Sequence, residues 1–345
     1  MNVRVVFFLL FGFITMAFYA SNAYEFIFPK YFPTPIYDFK RNPLSEDKIN
    51  LGRALFYDPI LSNNNVISCA SCHSPFSAFT HIDHALSHGI HDSIGTRNSP
   101  ALMNLAWQKN FMWDGAINNL DMQALAPISH PAEMGSTINE VVEKLNASEL
   151  YKKLFFKAFQ DSVATGERTL KAISQFMLTL VSSNSKYDKV LLKKDTFNAM
   201  ESNGYRLFQN NCAACHKEPL FTNYDFANNG LKVNDKLKDN GRVRVTFKPG
   251  DSFKFKVPTL RNIEYSYPYM HDGRFKRLSE VLNHYASGIQ SYKNLAPELK
   301  NKINLSQEEK VDIIAFLLTL SDPEFVFNKQ FQYPREIFFY APQER

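Results

Sequence analysis

The stretches Cys69-Ala-Ser-Cys72-His73 and Cys212-Ala-Ala-Cys215-His216 decide how this chain is read, because together they use all four of its cysteines. An even cysteine count invites a disulfide framework, and cysteine pairs with histidine also hold zinc. Neither reading explains a histidine placed directly after each pair. In that pentapeptide two thiols add across the vinyl groups of haem and the histidine takes the iron. Two copies that exhaust the cysteines point to two covalently bound haem c groups, one on Cys69, Cys72 and His73, the other on Cys212, Cys215 and His216.

Working outward, the segments before the two motifs read alike. Ser45 to Asp58 carries Ile49, Leu51, Leu55 and Phe56 at helical spacing, and Thr196 to Asn211 carries Met200, Tyr205, Leu207 and Phe208 in the same way. A second correspondence lies after each motif. Arg97-Asn-Ser-Pro, Phe111-Met-Trp-Asp-Gly-Ala and Leu120 parallel Pro258-Thr-Leu-Arg-Asn, Tyr269-Met-His-Asp-Gly-Arg and Leu278. The chain therefore reads as a duplicated haem domain. The halves join near Asn184 to Asp195, where an apolar helix (Leu170, Ile173, Phe176, Met177, Leu180, Val181) gives way to polar, Lys-rich sequence. This predicts an N-terminal cytochrome c-like domain over 24–190 and a C-terminal one over 191–345. Ser306-Gln-Glu-Glu309 is a capping box that opens a helix with Val311, Ile314, Ala315, Leu317 and Leu318 on one face. Strand character is confined to Arg242–Phe247 and Phe253–Val257, so the fold class expected is mainly α, two cytochrome c-like helical domains with long loops and few short strands.

Composition narrows the function. The 345 residues include 39 Lys plus Arg against 34 Asp plus Glu and are 45% hydrophobic, enough for two cores and unlike a disordered chain. The net charge of +5 is spread without a basic run that would track a phosphate backbone, which argues against a nucleic-acid partner. At the amino terminus, Arg4 precedes the apolar stretch Val5–Phe18, and Ser21-Asn22-Ala23 supplies small residues for a signal peptidase. The stretch is shorter than the roughly 20 apolar residues of a spanning helix. Residues 1–23 are thus expected to be a cleaved export signal, leaving a periplasmic protein without stable membrane insertion.

The motifs CASCH, RNSP, WDG, HPAEMG, CAACH, PTLRN and YPYMHDGR, in this order, resemble the bacterial di-haem cytochrome c peroxidases and their MauG relatives over the whole mature chain. The resemblance implies that one haem reacts with hydrogen peroxide, the other passes electrons to it, and a calcium ion sits between them. By motif position the implied calcium ligands are the Asn98 side chain and backbone carbonyls near Lys256 and Pro258, with waters completing an oxygen shell. Glu133, in His130-Pro-Ala-Glu-Met-Gly135, resembles the family's catalytic glutamate and Gln123 its partner amide. Trp113 resembles the tryptophan that lies between the haems and carries the electron. His271, its repeat partner, is expected near the second haem. Tyr285, seven residues after Leu278, occupies the place held by methionine in ordinary relatives and by tyrosine in MauG. His216 and Tyr285 are accordingly the expected axial ligands of the second haem, with His284 or Met270 as alternatives to Tyr285.

The duplication supplies a separate argument for the first haem. Seven residues after Leu120 stands Pro127, the repeat match of Tyr285, which has no atom able to bind iron. That face is expected to be open, leaving His73 as the one strong protein ligand. The loop before Arg97 holds His81, His84, His88 and His91, and a capping ligand at His88 or His91 in the resting enzyme stays an alternative. The leading expectation is an exported peroxidase, an oxidoreductase that reduces hydrogen peroxide with electrons from a small cytochrome c or cupredoxin. Two rivals stand beside it: a MauG-like enzyme that oxidises side chains of a partner protein, and a non-enzymatic di-haem electron carrier or redox sensor.

Overall fold

The computed structural model describes residues 23–339, so the expected export signal lies outside the described residues apart from Ala23. Helix α1 (Glu46–Tyr57) begins at Ser45, whose hydroxyl accepts the Lys48 N–H, and Glu46 and Asp47 complement the positive end of the helix dipole. Leu51, Ala54, Leu55 and Phe56 form its buried face. After the first haem motif come α2 (Ile138–Ala147), α3 (Glu149–Phe159) and α4 (Gly166–Leu178). The connecting helix α5 (Lys186–Leu191) leads to α6 (Ala199–Asn211), which runs into Cys212. Helix α7 (Leu278–Asn283) and helix α8 (Gln307–Leu318) complete the second half. The capping box read at Ser306 is present: Ser306 N–H donates to the Glu309 carboxylate at 2.8 Å and Glu309 N–H to the Ser306 hydroxyl at 3.2 Å.

The duplication extends to packing. In each half, the helix that leads into the haem motif crosses a late helix of the same half, and each crossing is made at a glycine. A Cβ on Gly52 of α1 would lie 1.8 Å from the Ala172 carbonyl oxygen of α4, and one on Gly204 of α6 would lie 1.9 Å from that of Asp312 in α8. Only glycine lets the backbones approach so closely. One core gathers Leu55, Phe56, Phe79, Trp107, Ile173 and Phe176, the other Leu207, Phe208, Phe221, Ile313 and Phe316. The chain then returns, placing Phe325, Val326 and Phe331 in the first core.

A buried ion pair locks the two halves together. Arg261, of the PTLRN motif, gives Nη2 and Nη1 to the Asp188 carboxylate of α5 at 2.7 and 2.9 Å, and both side chains are essentially inaccessible. The guanidinium also lies near the rings of Phe32 and Phe221, one from each core.

Among the described residues, strand is limited to β1 (Phe226–Ala227) and β2 (Phe255–Lys256), antiparallel with Phe226 opposite Lys256. The expected strand over Phe253–Val257 thus narrows to its centre. The one expected over Arg242–Phe247 is corrected: Val243–Thr246 is a helical turn. Its Thr246 and Phe247 N–H groups bond back to Arg242 and Val243, and the Arg242 guanidinium lies 3.7 Å from the centre of the Phe226 ring. Alternating valines suggest a strand, but here no neighbouring strand satisfies their backbone.

Candidate active site

Each haem motif forms a tight turn that presents its histidine in a defined way. Cys69–Cys72 is one helical turn ending at His73, whose Nδ1 donates to the Phe79 carbonyl at 2.7 Å. In the second half His216 Nδ1 reaches the Phe221 and Pro258 carbonyls at 3.3 and 3.2 Å. These bonds fix the tautomer and leave Nε2 of each ring for a metal. Burial pushes both imidazoles down to about 4, so each is the neutral form that ligates iron. All four cysteine thiols are unpaired. The donor set therefore fits two covalently attached haems: two free thiols and one oriented neutral imidazole at each place.

Cys212, Cys215 and His216 line one large apolar cavity with Leu278, Leu282 and Tyr285. Tyr285 stands on a π-helical turn, His284–Gly288, that follows α7 directly. The wider turn rotates successive side chains relative to an α-helix, a device common at functional positions. Burial pushes the Tyr285 phenol up to about 12, a hydrogen bond to the Asn229 side chain works against that, and the Cys212 and Cys215 sulfurs lie close enough to add to the rise. His284 is buried and donates Nε2 to the Asn229 carbonyl at 3.1 Å. Met270 lines the cavity, and its sulfur accepts from the Asn229 amide at 3.4 Å. Asn229 therefore orders all three candidate ligands, a role for which the sequence gives no signal.

The first half repeats part of this plan. Met112 and Met270, at matching places of the duplicated motif, share a left-handed backbone (φ 66° and 74°), and each lies within an antiparallel bridge, Phe111 with Ile117 and Tyr269 with Phe275. Gln123, at the end of a short helix, donates to the Met112 sulfur at 3.6 Å as Asn229 does to Met270. Pro127 lies in the next turn of helix, and its carbonyl accepts the Met134 N–H, next to Glu133.

Glu133 sits in a turn in which its own N–H and that of Gly135 bond to the His130 carbonyl. Burial raises its carboxyl above the ordinary glutamate value, while His130, 3.8 Å away, works in the other direction. The Glu133 carbonyl accepts the Ile90 N–H at 2.8 Å, two residues beyond His88, whose carbonyl meets the Cys72 sulfur at 3.5 Å, so the Glu133 turn packs beside the first haem motif. His88 Nδ1 donates to the Asp92 carboxylate at 2.8 Å, and His91 has a left-handed backbone in an exposed turn.

Trp113 lines the same cavity as His216 and Tyr285, while its indole N–H donates to the Asn98 carbonyl of the first half at 2.8 Å. Its own carbonyl accepts the Lys256 N–H at 2.7 Å. Around it, Arg97 binds Asp114 at 2.6 Å and Asp239 through two contacts of 2.6 and 2.9 Å. Lys256 Nζ reaches back to Gln108 and Asn110. His271 also lines the cavity, stacked on Phe255 at 3.6 Å. Trp107, by contrast, is a core residue bonded to the Pro33 carbonyl. Asn98, Lys256 and Pro258 line the same cavity; the Asn98 amide nitrogen donates to the Ala85 carbonyl, and its side-chain oxygen is the atom a cation would use.

A duplicated helical frame with two such thiol and imidazole sets defines a di-haem c-type cytochrome. The family described as di-haem cytochrome c peroxidase matches residues 46–196, and cytochrome c matches residues 201–321. The methylamine utilization protein MauG of Methylorubrum extorquens is 36% identical over 291 residues, covering 81% of this chain and 80% of that one. The cytochrome c551 peroxidase of Nitrosomonas europaea is 36% identical over 295 residues, 82% and 83% of the two chains. A solved structure described as a MauG-like protein associated with microbial copper homeostasis superposes with a TM-score of 0.80 at 32% identity, over 90% of this chain and 99% of that one. The chain belongs to the di-haem cytochrome c peroxidase family, and it is an oxidoreductase of the cytochrome-c peroxidase class. No helix among the described residues is long and apolar enough to cross a membrane.

Proposed function

We propose that the protein is an exported, periplasmic di-haem peroxidase that reduces hydrogen peroxide to water at the His73 haem, with electrons delivered through the His216 haem by a small cytochrome c or cupredoxin. In this reading residues 24–190 form the peroxidatic domain and 191–345 the electron-transfer domain. The observation that carries it is an asymmetry between the repeats. The large cavity holds Tyr285 with His216, whereas the matching place in the first half is Pro127, with the Glu133 turn beside the first motif.

Haem iron, when bound, supplies an electrophilic site for peroxide and the redox equivalents that cleave it. The chain's own residues manage protons and position. Peroxide reduction takes up two electrons and two protons and yields two waters. Glu133 accepts the proton from one peroxide oxygen and returns it to the other, so that the departing oxygen leaves as water. Partial burial raises its proton affinity toward that task. Gln123 orders the Met112 loop that carries Trp113. Trp113, tied to both halves by Asn98 and Lys256, carries the electron across their junction. Asn98 and the carbonyls near Lys256 and Pro258 would hold a calcium ion whose oxygen shell fixes the same junction.

Tyr285 favours one second reading, a MauG-like enzyme that withdraws electrons from side chains of a partner protein. Steady-state turnover separates the two. Continuous peroxide consumption matched by oxidation of a reduced small cytochrome or cupredoxin supports the peroxidase. Peroxide consumption only in the presence of a protein that becomes covalently modified supports the second reading, and no peroxide consumption at all leaves only an electron carrier.

A further inference from the structure

Among the described residues, one buried side-chain nitrogen or oxygen has no hydrogen-bond partner, Nδ1 of His81. Leaving such a group unsatisfied costs about 1–3 kcal/mol, so a partner absent from the protein chain is implied. The His81 side chain is only 14% exposed, and its other nitrogen lies 3.9 Å from Asp83, beyond hydrogen-bond reach. The Thr80 carbonyl, one residue before His81, accepts the Ser74 N–H at 3.0 Å, so the start of this loop lies against the residue that follows His73.

The surroundings say which part of a haem would meet it. Attachment through Cys69 and Cys72 fixes the vinyl edge of the porphyrin at that helical turn, and the two propionates are carried on the opposite edge. The Cys72 sulfur abuts the His88 carbonyl at 3.5 Å, so His88 marks the thioether edge. The rings of His88, His84 and His81 follow one another at 4.2 and 5.3 Å, and the propionates are the only groups on an attached haem that can accept a hydrogen bond from Nδ1. Thr80, next to His81, lines the same cavity as His216, together with Asn98 and Ser99.

We propose that His81 is a positioning residue for the first haem, its Nδ1–H donating to a propionate carboxylate and so fastening the start of the histidine-bearing loop to the cofactor. A carboxylate acceptor selects the Nδ1–H tautomer. The bond draws negative charge away from the propionate, and that charge otherwise favours ferric over ferrous iron. The inference rests on the reading of the first motif as a haem place.

The test uses the di-haem holoenzyme and the variants H81F and H81Q, with haem content counted first. H81F is expected to lower the midpoint potential of the first haem, leave that of the second in place, and shift the propionate bending mode in resonance Raman spectra. H81Q, which keeps an N–H donor, is expected to restore both toward wild type. A potential and a propionate mode unchanged in H81F, or displaced equally in H81Q, overturn the proposal. Should H81F fail to retain the first haem, the wild-type holoenzyme structure decides. Nδ1 within about 2.6–3.2 Å of a propionate oxygen supports the proposal, and no such contact overturns it. Absence of covalent haem at Cys69 and Cys72 in the wild type would instead remove the underlying reading.

Discussion

Replacing Asp188 by alanine strips a fully buried charge, the Arg261 guanidinium, of its partner. The Asp188 carboxylate accepts two bonds from Arg261, at 2.7 and 2.9 Å, one from the Tyr31 hydroxyl at 2.9 Å, and two from Ser185 at 2.8 and 2.7 Å. Without it, Arg261, with its side chain fully inaccessible, keeps one hydrogen bond, to the Pro219 carbonyl at 2.9 Å, besides the Phe32 and Phe221 rings. Breaking a buried pair by removing one partner costs about 3–5 kcal/mol, because the remaining charge stays desolvated. The second partner need not behave in the same way: Arg261→Met with Asp188→Leu exchanges two charges for apolar volume and should cost much less than Asp188→Ala alone. The pH response follows from the same geometry. Burial alone would raise the Asp188 carboxyl, but the bonds and charge of Arg261 and the Ser185 contacts outweigh it and hold it below its ordinary value. A depressed folded-state value means that the stabilisation is present above the unfolded carboxylate range and is lost as the pH falls through the folded value. Urea unfolding of the holoenzyme, followed by far-UV circular dichroism at neutral and acid pH, measures both effects. A loss below about 1 kcal/mol in Asp188→Ala, or a double variant as unstable as the single one, would refute the reasoning.

Further outcomes follow from the site. Glu133→Gln should lower peroxide turnover by roughly 10²–10⁴-fold while both haems stay attached, as counted by haem staining and absorbance. Because burial raises the Glu133 carboxyl, and the group must be ionised to accept the first proton, wild-type turnover should fall on the acid side through a value above that of an ordinary glutamate; a pH–rate profile checks this. Tyr285→Phe should abolish low-spin character at the His216 haem in electron paramagnetic resonance spectra without detaching it. Gly204→Ala forces a methyl against the Asp312 carbonyl, and overpacking of this kind costs about 1–3 kcal/mol, to be read in thermal unfolding.

Much of the frame is legible in sequence because it is specified locally. Helices α1, α6 and α8 carry their apolar spacing and their capping residues within a dozen positions, and the haem motifs are contiguous. The duplication was legible as repeated words, and its structural counterparts are the glycine crossings at Gly52 and Gly204 and the matched backbones of Met112 and Met270. What depends on distant partners was not. Val243–Thr246 alternates like a strand yet coils, since no strand lies beside it. Asn229 gathers Tyr285, Met270 and His284 from more than 40 positions away, and Asp239 meets Arg97 across 142 residues. The π-turn that presents Tyr285 interrupts a helix whose sequence reads as continuous. The return of Phe325 and Phe331 to the first core is likewise a matter of tertiary contact, invisible in any local pattern.

The central claim is that the two haem places differ in access, one closed by a phenol and the other open to peroxide. Electron paramagnetic resonance and absorption spectra of the oxidised holoenzyme, recorded before and after uptake of one electron, test it most directly. The account predicts one high-spin signal from the His73 haem and one low-spin signal from the His216 haem. Two low-spin haems in both states would contradict it.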